Sequence, residues 1–269
     1  MSEKLVIVRG AGDLATGVIY MLKHFNYTVI ATETDKPSAI RRTVSLCEAV
    51  YDGTATVEGV TAVLCDNKSE IIKAHHQGFV PIVIDPQCQI IKDLKPDIVV
   101  DAIIAKKNTG TDRHMAPVVI GLGPGFTAGK DVHAVVETAR GHHLGRMILN
   151  GTAQPNTGVP GMIGGYSHER VIYAPAAGIV KCCKNIGDHV QQGETIAEVS
   201  GVPVNAKISG ILRGLIRDGY AVTKGFKTAD IDPRDVYDHC FSISDKARMI
   251  GFGTLFAINY LTKEINHAD

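Results

Sequence analysis

The sequence is short of several things that usually announce a function. It has no tryptophan. Its 28 basic and 28 acidic residues cancel, so no overall basic field invites nucleic acid or an anionic membrane surface. No window reaches the roughly 18 apolar residues of a membrane span, and GFGTLFAINYL near the end is too short. The start, MSEKLVIVRGAGD, lacks the long apolar segment of a signal peptide. Six cysteines (Cys47, Cys65, Cys88, Cys182, Cys183, Cys240) form no CxxC and no zinc spacing, so no metal site is expected. They read as reduced thiols in the cytoplasm. Cys88, in DPQCQ after a strand end, is the best placed of them for a functional role.

What is present in the first 150 residues is alternation. KLVIV, TVIATE, TAVLC, VPIVID, DIVVDAII and PVVIGLG are short β-branched runs, with helical patterns such as GAGDLATGVIYMLKHF between them. The runs are apolar on both faces, which suits parallel strands covered by helices. The expected fold is α/β: a Rossmann-like, doubly wound, mostly parallel sheet over residues 1–150. Ligands in such sheets sit beyond the carboxyl ends of the strands.

The strand-end loops supply the candidate site. GAGDLA matches G-x-G-x-x-A at Gly10, Gly12 and Ala15, between a strand and a helix. Glu33 ends the second strand, where a carboxylate can grip a ribose hydroxyl. Asp13 inside the loop opposes a phosphate, and a plain tight turn stays open as the other reading. GLGPGFTAGKD resembles a phosphate loop but is miscounted. Counting back from Gly129-Lys130, the glycine position holds Pro124, and Asp131 stands where a Ser or Thr would hold magnesium. An NTPase is therefore excluded. Gly123, Gly125 and Lys130 stay as anion-site candidates, with a structural turn as the alternative and a helix, VHAVVETAR, expected to follow. AKKNTGTDRH adds Lys106 and Asn108, as a site for a charged small molecule or as a solvated loop. RGHHLGR is an anion-contacting candidate. No residue stands out as catalytic.

GTAQPNTGVPGMIGGYSHE, residues 151–169, reads as a linker. Beyond it Gly178, Gly187 and Gly193 recur as Gly210, Gly219 and Gly225, each shifted by 32. Residues 170–235 are thus a duplicated β-module. It resembles the biotinyl/lipoyl family, which implies a barrel-sandwich hybrid. The joint between its halves, EVSGVPV, has no lysine, and Lys207 lies inside the second half. No biotin or lipoyl attachment is expected. Residues 236–269 close the chain with a helix, capped by Ser244 or Asp245. Met249, Phe252, Leu255, Phe256 and Tyr260 are spaced to turn one face back onto the α/β domain.

GAGDLATG, ETDKPSAIRRTVS, AKKNTGT, GLGPGFTAGKDVHAVVETARGHHLGR and GTAQPNTGVPG occur together, ahead of the duplicated module. In combination they resemble the YqeB-like accessory proteins of selenium-dependent molybdenum hydroxylases, and more distantly the XdhC/CoxI maturation factors. The resemblance implies a cytoplasmic maturation factor with a molybdenum hydroxylase apoprotein as partner. It would bind a small phosphate-bearing ligand, a nucleotide or the molybdopterin cofactor. An NAD(P)-binding oxidoreductase is the first alternative, supported by GAGDLA and Glu33 but by no hydride-transfer constellation such as Tyr-x-x-x-Lys. A non-enzymatic interaction adaptor is the second. A homo-oligomer stays open.

Overall fold

The computed structural model describes residues 4–268 and separates them into two compact units. The first gathers Met1–Pro37, Ser45–Asn156 and Ile243–Asp269. The second gathers Ser38–Val44 and Thr157–Ser242. The short Ser38–Val44 insertion carries no mark in the sequence.

The first unit begins with β1 (Leu5–Arg9), α1 (Asp13–His24) and β2 (Thr28–Glu33). The short helix α2 (Ala49–Asp52) leads into β3 (Thr54–Val57) and β4 (Val60–Leu64). Next come α3 (Lys68–His76), β5 (Val80–Ile84), α4 (Ile91–Leu94) and β6 (Ile98–Asp101). The last strands of the unit are β7 (Val118–Leu122), β8 (Ala134–Val136) and β9 (Met147–Ile148). All nine strands join one sheet in the order β3-β4-β5-β2-β1-β6-β7-β8-β9.

The Rossmann-like, doubly wound class expected for this region is corrected. The sheet is mixed: β3–β4 and β8–β9 are antiparallel pairs at its two edges. No helix lies between β6 and β7, or between β7 and β8. The helix expected over VHAVVETAR is the strand β8. Val132, Ala134, Val135 and Val136 are all buried there, and a run of β-branched residues prefers a covered strand to a helix. Leu122 to Ala134 therefore carries the chain from the carboxyl end of β7 back to its amino end without helical structure. Each fully buried aliphatic side chain in this core contributes roughly 1.5–3 kcal/mol.

The second unit holds β10 (Val171–Tyr173), β11 (Gly178–Cys182), β12 (His189–Val190), β13 (Thr195–Val199) and β14 (Val202–Asn205). β15 (Gly210–Leu215), β16 (Ala221–Val222) and β17 (Lys227–Asp232) complete it. β11, β12 and β13 recur as β15, β16 and β17, and the halves exchange strands: β12 pairs with β15, and β16 with β11. Gly178 and Gly210 adopt φ of +147° and +151°, a region open in practice to glycine alone. The barrel-sandwich hybrid class is corrected to two four-stranded antiparallel sheets, β10-β17-β15-β12 and β14-β13-β11-β16. Val171–Tyr173 and Val202–Asn205 each form one edge of a sheet and lie outside the stretches whose glycines recur.

The chain ends in α5 (Asp245–Ala268), which belongs to the first unit. Its orientation reverses one expectation. Met249, Phe252, Phe256 and Tyr260 are exposed, and of the five proposed core residues only Leu255 is buried. The buried face is made of smaller groups, Gly251, Gly253, Thr254 and Ala257, with Ile250 and Ile258. A Cβ added at Gly251 would lie 2.5 Å from the Gly17 carbonyl oxygen. Backbone approach this close selects glycine and turns the aromatic side outward.

Candidate functional site

The candidate residues are set by three strand ends. Gly10 follows β1 with φ +92° and donates its N–H to the Thr32 carbonyl, 2.7 Å. A Cβ there would lie 3.1 Å from the Ala102 oxygen, so the first loop passes closely over the end of β6. Gly12 caps α1 in extended conformation, and a Cβ at Gly12 would meet nothing within 4 Å. Ala15 is buried in the first turn.

Glu33 does not reach outward. Its Oε2 accepts the Ala11 N–H at 2.9 Å and its Oε1 accepts the Thr34 N–H at 2.8 Å. Burial pushes its carboxyl up, against the lowering effect of these two donors. The carboxylate thus ties the glycine loop to β2.

Beneath the loop lies a buried polar network. Arg9, 1% exposed, donates from Nη1 to Asp101 Oδ2 (3.2 Å) and to Thr111 Oγ1, and from Nη2 to the Pro86 carbonyl (3.2 Å). Thr111 donates to the same Asp101 oxygen at 2.5 Å. Asn108 closes the adjoining loop: its Oδ1 accepts from Gly110 N (2.9 Å) and Thr111 N (2.7 Å), and its amide donates to the Thr111 carbonyl (2.8 Å). Asn108 is therefore the brace that holds Thr111 against Arg9 and Asp101. Lys106, φ +62°, is exposed on the same loop. Cys88 is fully buried, and burial pushes its thiol up to about 11.

GLGPGFTAGKD divides in two. Gly123 donates to the Val136 carbonyl at 2.8 Å and abuts Thr138. A Cβ at Gly125 would lie 2.7 Å from the Lys107 Cα, so the loops carrying Lys106 and Gly125 meet backbone to backbone. The rest of the segment satisfies itself. Asp131 Oδ2 accepts the Thr127 N–H at 2.8 Å, where a bound anion would sit, and Lys130 N–H turns back to the Thr127 carbonyl at 3.2 Å. The Gly129 carbonyl accepts from Arg113, 2.8 Å, on the approach to the amino end of β8. Gly10, Gly12, Glu33, Asn108, Gly123 and Gly125 are brought to the carboxyl edge of the sheet, whereas Lys130 is carried away from it.

Lys246 completes the carboxyl edge and escaped the sequence reading, because it lies far along the chain in the first turn of α5. It is partly exposed. Burial and Arg140 push its ammonium down, opposed by Asp13, Asp245 and Glu137. Arg140 holds Asp245 through two hydrogen bonds, 2.6 and 2.9 Å. Glu137, buried, accepts from Ala139 N and Gln154 N, both 2.8 Å. It lines a cavity of about 330 Å³ with His143 and Arg146 from RGHHLGR. The His142 and His143 rings meet edge-on, centroids 4.9 Å apart. Among the described residues, no three His, Cys, Asp or Glu side chains are gathered to hold a metal ion. No helix among them is long and apolar enough to cross a membrane.

No protein-family model matches the chain. The chain is 52% identical over 259 residues, 96% of its length, to a protein of Escherichia coli K12 called "Uncharacterized protein YqeB". It spans about half, 48%, of that relative. The solved structures found include a succinylglutamate desuccinylase/aspartoacylase from Rhodobacter sphaeroides. It is 15% identical with TM-score 0.27, over 86% of this chain and 85% of that one. An aspartoacylase family protein from Mesorhizobium loti is 11% identical with TM-score 0.29, over 86% and 85%. The ectoine utilization protein EutE (DoeB) from Ruegeria pomeroyi is 10% identical with TM-score 0.24, over 85% and 86%. Likeness this low carries no argument for this chain.

The resemblance to accessory proteins of selenium-dependent molybdenum hydroxylases, with XdhC/CoxI factors as distant kin, is corrected on these findings. The sequence relative carries no assigned role, and no family model supports the resemblance. The maturation role, and the oxidoreductase and adaptor alternatives beside it, are not carried forward.

Proposed function

We propose that the carboxyl edge of the nine-stranded sheet binds a small phosphate-bearing ligand. The observation that carries this reading is the pairing of α1 with α5. Gly17 packs on Ala247, Gly251 packs on Gly17 and Met21, and the Tyr27 hydroxyl donates to Asn259 at 3.1 Å. Positions rise together along both helices, so the two run parallel and their amino ends share one place. Each amino end favours an anion. Gly12 leaves open space there, and Lys246 supplies a partly desolvated ammonium. Of the nearby carboxylates, Glu33, Glu137 and Asp245 accept hydrogen bonds from within the protein, and Asp13 stands beside Lys246 as an opposing charge.

Gly10, Gly12, Gly123 and Gly125 would shape the site, with Lys106 at its rim and Lys246 as the charge. NAD(P) and the molybdopterin cofactor both carry the phosphate such a site requires. The six free thiols favour a reducing, cytoplasmic setting for this activity. Calorimetric titration with pyrophosphate and with NAD tests the reading. Binding is expected to weaken at least tenfold in Lys246→Gln and in Gly12→Leu, whose side chain fills the open space. No binding of either probe, or affinity unchanged in both variants, overturns it.

A further inference from the structure

A second cavity, of about 720 Å³, opens at the opposite, amino edge of the same sheet. It is lined by α4 and the turn that follows it, by the segment entering β7, and by His133 just before β8. Its size falls within the roughly 300–1,000 Å³ of small-molecule sites. Its charged lining is one-sided. Lys92, Lys95 and Arg113 face it, with Asp97 as the only carboxylate, which leaves a net charge of +2 before His114 is counted. Asp97 Oδ2 is committed to the Leu5 N–H at 2.8 Å. Lys92 is held by a neutral partner, Gln89 Oε1, at 2.5 Å.

The donors are oriented as well as charged. Arg113 is anchored by its hydrogen bond to the Gly129 carbonyl, which fixes the guanidinium while leaving most of its N–H groups to other partners. His133 accepts the Val119 N–H on Nδ1 at 2.9 Å. A ring nitrogen that accepts carries no proton, so His133 presents Nε2–H as a donor. Burial and then Arg113 hold its pKa down, opposed by the Val119 hydrogen bond and helped by His114, a direction that favours the neutral ring. Pro96, Pro117 and Met115 supply an apolar wall for a carbon skeleton.

We propose that this cavity is a second binding site, for a small molecule bearing a compact dianion such as a phosphate monoester or a dicarboxylate. Arg113 and the Nε2–H of His133 would clamp the anion, and Lys92 and Lys95 would balance its charge. Nothing in this site is shared with the carboxyl edge, so the two proposals stand or fall separately.

Ring-proton NMR of His114 and His133 during titration with inorganic phosphate, and in parallel with malonate, tests it. At least one anion is expected to shift both resonances saturably, and the stronger of the two identifies the anion type. Lys95→Gln, at an exposed position, should weaken that binding a few-fold and Arg113→Gln at least tenfold. Arg113→Lys should recover part of the loss, and Lys246→Gln should leave it unchanged. Absence of saturable shifts with both anions, or affinity untouched by both Lys95→Gln and Arg113→Gln, overturns the proposal.

Discussion

Gly17 and Ala247 touch backbone to backbone. A Cβ on Gly17 would overlap the Ala247 carbonyl oxygen, and the Ala247 carbonyl carbon would lie 2.6 Å away. This is a point of close packing of α1 against α5, near the amino ends of the two helices. Gly17→Ala should therefore cost stability even though alanine is the better helix former. Overpacking of this kind destabilises by roughly 1–3 kcal/mol. A lowered urea midpoint checks it, and a midpoint equal to wild type would mean that the helices part without cost. Lys246 chemistry should change in the same variant, since the helix that carries it is displaced.

The Arg9–Asp101 pair is buried at 1% and 2% side-chain exposure. Asp101→Asn keeps the shape but leaves the guanidinium without its counter-charge. Breaking one partner of a buried pair costs about 3–5 kcal/mol. The double variant Arg9→Met with Asp101→Leu should be less damaging than Asp101→Asn alone. Equilibrium denaturation of the three proteins decides the point.

Thiol reactivity should follow burial. Cys183 is exposed, whereas Cys47, Cys65, Cys88 and Cys240 are buried. Thiolate is the reactive form, and burial pushes the Cys88 thiol up to about 11. In the native protein an aromatic disulfide reagent should label Cys183 first, and Cys88 only after unfolding. Rapid native labelling of Cys88 would restore it as a functional thiol.

Acid should weaken the second unit at one identifiable group. Burial alone would raise the Asp232 carboxyl, but Arg234 and Arg213 bring it down to about 2. A carboxyl depressed in the folded state stabilises the fold above its unfolded value, near 3.8, and that contribution is lost as pH falls towards 2. Asp232→Asn should lower stability at pH 6 and flatten the pH dependence between 4 and 2. Thermal unfolding across that range measures it, and an unchanged slope would contradict the assignment.

Local chemistry was legible in the sequence wherever a glycine or a strand end had a single use. GAGDLA makes the β1–α1 turn, and the glycines at spacing 32 make matching turns in the second unit, because left-handed φ and close backbone approach exclude other residues. Asn108 reads in the sequence as a ligand group, and Asp131 as a residue standing in place of a magnesium-holding hydroxyl. Both instead satisfy backbone N–H groups of their own loops, a use that short polar side chains take up readily. The helix expected over VHAVVETAR failed because periodicity in a short apolar run cannot separate a buried strand from a helix.

The sequence by itself determined that the chain is α/β in its first part and duplicated in its second, since strand-forming runs and turn glycines act within a few residues. Only the tertiary structure decided what stands beside what. It carried Lys130 away from the first glycine loop, brought Lys246 near Asp13 at the start of α1 from more than 200 residues away, and put Lys95, Arg113 and His133 around one cavity. Those neighbours are set by strand order and helix packing, and such long-range pairings leave no local spacing to read.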